Sequence, residues 1–378
     1  MRDSDLRRGE QRRHRAREVG IRVGELVTGE WNAITDVAGV LVGHCTLVRG
    51  SGRLVPGHGP VRTGVTAVLP HGGNVFRDKV AASADVINGF GKCTGLPQLL
   101  ELGTLETPIL LTNTLSVGMV ADACVQWSVQ SNPDIGIATS TVNPVVGECN
   151  DGYLNDIQGR HVRAEHVFAA LGAASTGPVE EGAVGAGTGM SAYGFKGGVG
   201  TASRRLPDAL GAYTVGVLLV ANFGRRGDLL IAGVPVGSEL AAAAAEPCHG
   251  DGSVMVVIAT DAPLAPHQLV RLARRAVHGL ARTGTVSNHG SGDFVVAFST
   301  RNRIEHDSAS LVRHVELAGD TGSLMDGLFR GVTESTEEAV YNALLMADTM
   351  DGRDGHVRHA LPVAEVQSLL RRHARLST

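Results

Sequence analysis

The sequence predicts an α/β fold. Three observations carry this. Short apolar, β-branched runs of the kind that form buried strands recur at 64–69, 108–112, 214–221, 254–259 and 294–298. Apolar residues at helical spacing alternate with them, over 117–129, 269–281 and 337–350. Hydrophobic residues make up 43% of the 378, enough for a substantial core, and the length would hold either two ordinary domains or one large α/β domain.

The net charge of −4 gives no global basic field to attract nucleic acid. Cys45, Cys93, Cys124, Cys149 and Cys248 are odd in number, scattered and free of any C-x-x-C pair. They indicate neither a disulfide framework nor a zinc site, so a reducing compartment is expected. With no apolar signal region and no run of about 18 apolar residues, the expectation is a soluble, cytoplasmic protein without a membrane partner.

Taken in order, residues 1–30 read as a flexible arm whose arginines (Arg2, Arg7, Arg8, Arg12, Arg13, Arg15, Arg17, Arg22) are solvated. A single domain then spans 31–378. Short apolar runs broken by turn residues over 34–48, and 64–70 ending in Pro70, predict the first strands. Residues 80–88 lead to Gly89-Phe90-Gly91-Lys92, which is no phosphate loop, because the first glycine of G-x-x-x-x-G-K would fall on Val86. Next come a helix over 96–105, a buried strand over 108–112 and a helix over 117–129, with Trp127 packing off the apolar stripe.

The loop over 144–156 hangs Glu148 from a short apolar run; such a carboxylate either caps a surface turn or binds an ammonium. Gly185 to Gly200 lacks the strand and helix of a dinucleotide site, so its glycines predict close backbone approach. A strand from Thr214 ends at Asn222, an amide that could cap a turn or face an oxyanion. The alanine-rich run 240–246 predicts a linker or short helix.

At Asp251-Gly252-Ser253 a serine stands at the mouth of a buried strand. It is either a turn residue or, after cleavage of the Gly252–Ser253 bond, an N-terminal nucleophile served by its own α-amine, which titrates near pH ~8. A continuous helix is predicted from Pro266 to Gly284, and a strand from Phe294 whose extension back to Ser291 would put Ser291 and Asp293 on one face. The last helix, 337–350, has Ser335 available as its N-cap; His356 and His359 lack the further ligands a metal needs.

Together Gly89-Phe90-Gly91-Lys92, 144–148, Gly187-Thr188-Gly189-Met190, 194–198, Asp251-Gly252-Ser253 and 290–293 closely resemble the L-aminopeptidase D-Ala-esterase/amidase family, self-processing N-terminal serine peptidases that include the β-peptidyl aminopeptidases. The resemblance runs from about Ile34 to Pro362. It implies a four-layer αββα sandwich similar to N-terminal nucleophile hydrolases, cleaved into 1–252 and 253–378. It further implies Ser253 as nucleophile, Asn222 at the oxyanion, Ser291 and Asp293 orienting the nucleophile, and Glu148 binding the substrate ammonium. Some relatives carry glutamate at the Asp293 position, and a tyrosine assists in some members, with Tyr153 one candidate here. The implied reaction releases small N-terminal amino acids from peptides, amides or esters, needs no cofactor and occurs in a homo-oligomer of the tetrameric kind. Two alternatives stand beside it: an acyltransferase similar to ornithine acetyltransferases, whose nucleophile is threonine, and a catalytically silent, oligomeric binding protein.

Overall fold

The computed structural model describes residues 13–241, 252–320 and 322–376. Two sheets stack face to face between two layers of helices. The smaller sheet contains β1 (Leu41–Arg49), β2 (Val61–Leu69), β5 (Ile109–Asn113) and β6 (Val145–Cys149), in the order β1-β2-β5-β6. The larger contains β3 (Asp78–Gly89), β4 (Thr104–Leu105), β9 (Gly198–Arg205), β10 (Thr214–Asn222), β11 (Ser253–Thr260) and β12 (Gly292–Glu305), in the order β4-β3-β12-β11-β10-β9. Two small hairpins, β7 (Ser191–Ala192) with β8 (Phe195–Lys196) and β13 (Met350–Asp351) with β14 (Val357–Arg358), stand apart.

Side-chain alternation along the strands assigns every layer. On β11, Val254, Val256 and Ile258 join a core shared with the helices, whereas Met255, Val257 and Ala259 join the core between the sheets. On β2, Val65 and Ala67 face the second helix layer while Val68 faces the intersheet core. A strand covered on both faces can be apolar throughout, which is why β11 and β10 are continuous apolar runs. The helices α1 (Val117–Ser131) and α2 (Ala164–Gly172) cover the smaller sheet. Over the larger sheet lie α4 (Pro266–Ala273), α5 (Ala276–Arg282) and α6 (Gly322–Leu345), with α3 (Val236–Ala241) and α7 (Val363–Arg372) at the margin. The result is the four-layer αββα arrangement.

Three local expectations are corrected. Residues 98–102 form a single π-helical turn, closed by Gly103 in the left-handed region, and β4 follows it directly. The helix expected from Pro266 to Gly284 is broken into α4 and α5 at Arg274–Arg275. The last helix starts at Gly322, so Ser335 is a buried interior residue rather than its N-cap. Its polar middle lies against β9 and β10, where a Cβ on Gly200 would stand 1.9 Å from the Ala339 carbonyl oxygen.

The described part of the N-terminal arm is not a solvated tail. Ala16 and Ile21 are fully buried in the core against α6, and Arg15 and Arg17 pair with Glu181 and Glu338 at 2.6 and 2.9 Å. Residues 1–12 of the expected arm and most of the alanine-rich run lie outside the described residues. Arginine here serves buried carboxylates. Arg204, itself fully buried, donates Nε to Glu334 at 3.1 Å, Nη2 to Glu338 at 2.6 Å and Nη2 to the Val23 carbonyl at 2.8 Å, joining β9, α6 and the N-terminal segment.

Removing one partner of a buried ion network leaves the others uncompensated. Arg204→Met is therefore expected to lower unfolding stability by about 3–5 kcal/mol, measured by denaturant titration, whereas Arg330→Met, at an exposed pair with Glu25, changes it by less than ~1 kcal/mol.

Candidate active site

The ends of β6, β10, β11 and β12 meet at one rim of the sandwich. Ser253 opens β11, opposite Asn222 on antiparallel β10 and opposite Gly292 on parallel β12. Its strand parity turns the hydroxyl, with Met255 and Val257, toward the second sheet. There Ser253 Oγ, 3% exposed at the residue level, accepts hydrogen bonds from the Asn150 backbone N–H at 3.2 Å and from Asn222 Nδ2 at 3.3 Å.

Asn222 is fixed at both ends of its amide. Nδ2 also donates to the Asn150 carbonyl at 2.9 Å, and Oδ1 accepts the Ser191 N–H at 2.9 Å. Two N–H donors thus converge beside one hydroxyl, an arrangement that can stabilise negative charge developing on an attacked carbonyl oxygen. Cys149, next to Asn150, is no competing nucleophile: its Sγ donates to the Val220 carbonyl at 3.5 Å, and full burial pushes the thiol well above its ordinary pKa.

Ser291 and Asp293 come together as the alternation predicts, Ser291 Oγ donating to Asp293 Oδ1 at 2.5 Å. Asp293 has the parity of Val295 and Ala297, which face the helix layer, and sits opposite Val254 in the parallel pairing of β11 with β12. The pair therefore flanks the backbone of β11, across the sheet from the Ser253 hydroxyl. Burial raises the Asp293 carboxyl above the ordinary range, opposed by its hydrogen bonds to Ser291, Ser287 and Val254.

Glu148 is on β6 itself, paired with Thr112 on β5, and is 3% exposed. Its Oε1 accepts the Lys92 N–H at 3.1 Å and its Oε2 the hydroxyl of Thr114. Desolvation raises its pKa, and the Thr114 and Lys92 bonds oppose the rise. The Gly-Phe-Gly-Lys loop is thus a cradle for this carboxylate. A Cβ on Gly91 would lie 3.2 Å from Glu148 Oε1, 2.8 Å from the Phe294 ring and 3.0 Å from Gly292 Cα, so only glycine lets the loop pass between Glu148 and the start of β12.

A cleft of about 580 Å³ opens beside Ser253, lined by Asn150, Ser191, Asn222 and Gly252 together with Tyr153, His356 and Arg358. Tyr153 stacks on His356 at 4.4 Å between centroids, and the Arg358 guanidinium lies 3.5 Å from the Tyr153 ring centroid. Lys196 is fully buried, donating Nζ to the Gly187 and Gly197 carbonyls at 3.0 and 2.7 Å, and interacts with the charge of Asp151. Burial pushes the Lys196 ammonium down and the Asp151 carboxyl up, each opposed by polar partners. Sequence reasoning missed Asn150, whose contribution is a backbone N–H, and Lys196, hidden in a glycine-rich run.

The family model described as Peptidase family S58 matches residues 32–358. The beta-peptidyl aminopeptidase BapA of Sphingosinicella microcystinivorans is 45% identical, across 96% of this chain and 93% of its own. Among solved structures, the PH0078 protein of Pyrococcus horikoshii is 54% identical with a TM-score of 0.91, covering 96% of this chain and 100% of that one. The L-aminopeptidase D-Ala-esterase/amidase of Ochrobactrum anthropi, described as a serine aminopeptidase and a variant of the Ntn hydrolase fold, is 40% identical with a TM-score of 0.87, covering 96% and 99%.

Gly91→Ala should force Glu148 or the start of β12 to move by several tenths of an ångström or more. The expected outcome is a fall of up to about 100-fold in aminopeptidase kcat/KM with the far-UV spectrum retained; unchanged kinetics would show that the cradle does not matter.

Proposed function

From the premise that the chain belongs to peptidase family S58, and so is an aminopeptidase hydrolase, we propose that it is a self-processing serine aminopeptidase, amidase and esterase that works through an acyl-enzyme on Ser253. One observation carries this reading: the hydroxyl of Ser253, immediately after Gly252, is where the Asn150 N–H and Asn222 Nδ2 converge.

In the proposed maturation, Ser253 Oγ attacks the Gly252 carbonyl, the C–N bond to Ser253 breaks, and water releases the resulting ester. Chains 1–252 and 253–378 remain together as one αββα unit. Cleavage frees the Ser253 α-amine, which titrates near pH ~8 and can take the hydroxyl proton at neutral pH without a large shift. In turnover the substrate's ammonium is held by Glu148 and its first carbonyl is attacked by Ser253 Oγ. Asn222 and the Asn150 N–H face the developing oxyanion, the α-amine passes its proton to the leaving amine, and water hydrolyses the ester. Asp293, tied to Ser291, would steady the freed amine, because both flank the backbone at Ser253 and Val254. The predicted substrates are peptides, amides and esters with a small N-terminal residue; the beta-peptidyl aminopeptidase named above supports including β-amino acids. A homo-oligomer in the cytoplasm is part of the same proposal.

Intact mass of the purified protein tests the mechanism first. Wild type should appear as two chains divided between Gly252 and Ser253 and Ser253→Ala as one inactive chain; an active wild type of full-length mass would sink the reading. The pH dependence of KM tests Glu148. Because burial raises its pKa, the carboxylate is lost by protonation at a higher pH than the ordinary ~4.3, so KM for an aminoacyl amide should begin to rise above that pH as the solution is acidified. Glu148→Gln should raise KM and remove that acid limb.

A further inference from the structure

The cleft beside Ser253 is lined by guanidinium groups that recognition of a substrate's amino end does not call for. Arg225, Arg353 and Arg358 line it with His356, and its described lining residues include no aspartate or glutamate. Arg358 is a buried, fixed part of the wall, its Nε donating to Ser191 Oγ at 3.0 Å and its plane set over Tyr153. Arg353 donates Nε to the Gly152 carbonyl at 2.8 Å and Nη1 to Asp354 at 2.9 Å. Arg225 is mostly exposed and gives only Nε, to Asp228 at 3.1 Å. Nη2 of Arg353 and both Nη groups of Arg225 have no hydrogen-bond partner among the described residues.

Guanidinium groups with open donors on a concave wall concentrate anions, and their planar fork matches a carboxylate. The cleft is of small-ligand size and includes Gly252 and Asn222, so it adjoins the reacting bond directly. Glu148 is not among the residues that line this cleft and is held instead by the Gly-Phe-Gly-Lys loop. A substrate whose ammonium reaches Glu148 and whose first carbonyl reaches Ser253 would present its far end to the arginines. We propose that Arg225 and Arg353 form a carboxylate subsite that selects short peptides with a free C-terminus, dipeptides foremost, by holding the carboxylate of the leaving residue. This rests on the assignment of Ser253 as the hydrolytic nucleophile. The same chemistry could be supplied from within the protein, by the new Gly252 carboxylate after self-cleavage, and the experiment separates the two sources.

The test compares alanyl-alanine and β-alanyl-alanine with their C-terminal amides, measuring kcat and KM for wild type, Arg225→Gln, Arg353→Gln and Arg225→Lys. Wild type should favour the free acid over the amide by about tenfold or more in kcat/KM, the scale of one charge-assisted hydrogen bond, chiefly through KM. The glutamine variants should bring that ratio toward one, and Arg225→Lys should keep part of it. Equal cleavage of acid and amide by wild type would overturn the subsite and leave the hydrolytic reading standing. Failure of the processed enzyme to cleave either form would instead overturn the hydrolytic reading. Glutamine variants that lose thermal stability or chain association while keeping the acid-to-amide ratio would assign the arginines to the Gly252 carboxylate and overturn the proposal.

Discussion

The amide of Asn222 is the joint on which the site depends. One side chain reaches the Ser191 amide with its oxygen and both Asn150 and Ser253 with its nitrogen, so it fixes the end of β10, the small β7 hairpin, the residue after β6 and the start of β11 relative to one another. Its two ends are chemically different, so the orientation of the amide is set by its partners: Oδ1 accepts from a backbone N–H, and Nδ2 must therefore point at the carbonyl and the hydroxyl. Asn222 is buried, and the polar cost of placing it there is offset because both ends are satisfied. A side chain lacking the nitrogen end would release both Asn150 and Ser253 at once.

Behind this joint the sandwich is filled largely by apolar side chains. The larger sheet needs helices on one face and a second sheet on the other, and the parity of β10 and β11 divides their apolar residues between those two cores. The polar middle of α6 is the exception that explains the arginines. Glu334 and Glu338 are held by Arg204 and Arg17, while Glu337 is held by Arg282 and the Tyr341 hydroxyl, so a helix with three glutamates can lie buried against strands. That network also draws in the N-terminal segment through Val23 and Asn32, which is why residues from Arg13 onward are part of the body.

These arrangements mark the boundary of what the sequence discloses. Buried strands are legible because a strand with both faces covered must be apolar along its length, and β2, β5, β10 and β11 stand where the runs predict them. The pairing of Ser291 with Asp293 is legible because period-two alternation needs only a strand start. The beginning of α6 is hidden, since Glu334 and Ser335 carry the composition of an exposed turn, and Glu334 is an interior residue only because the distant Arg204 pairs with it. The break at Arg274–Arg275 leaves the apolar spacing intact and so has no signature in the pattern. Asn150 is hidden for a deeper reason: its donor to Ser253 is a backbone N–H, common to every residue but proline.

The placement of Asp293 bears on how one serine could serve both maturation and turnover. In the proposed mechanism the first attack is on the Gly252 carbonyl, before any free amine exists at Ser253. The donors at Asn150 and Asn222 already converge on Oγ in the uncleaved chain, so charge stabilisation precedes the catalytic base. Asp293 and Ser291 lie across the sheet, at the backbone where cleavage would create the amine. A carboxylate there raises the amine's proton affinity, whereas one against the hydroxyl would oppose the negative charge of the attacked carbonyl. The sheet thus separates two requirements that conflict in a single pocket: neutral, convergent N–H donors on the face of the hydroxyl, and an anionic group at the backbone beside it.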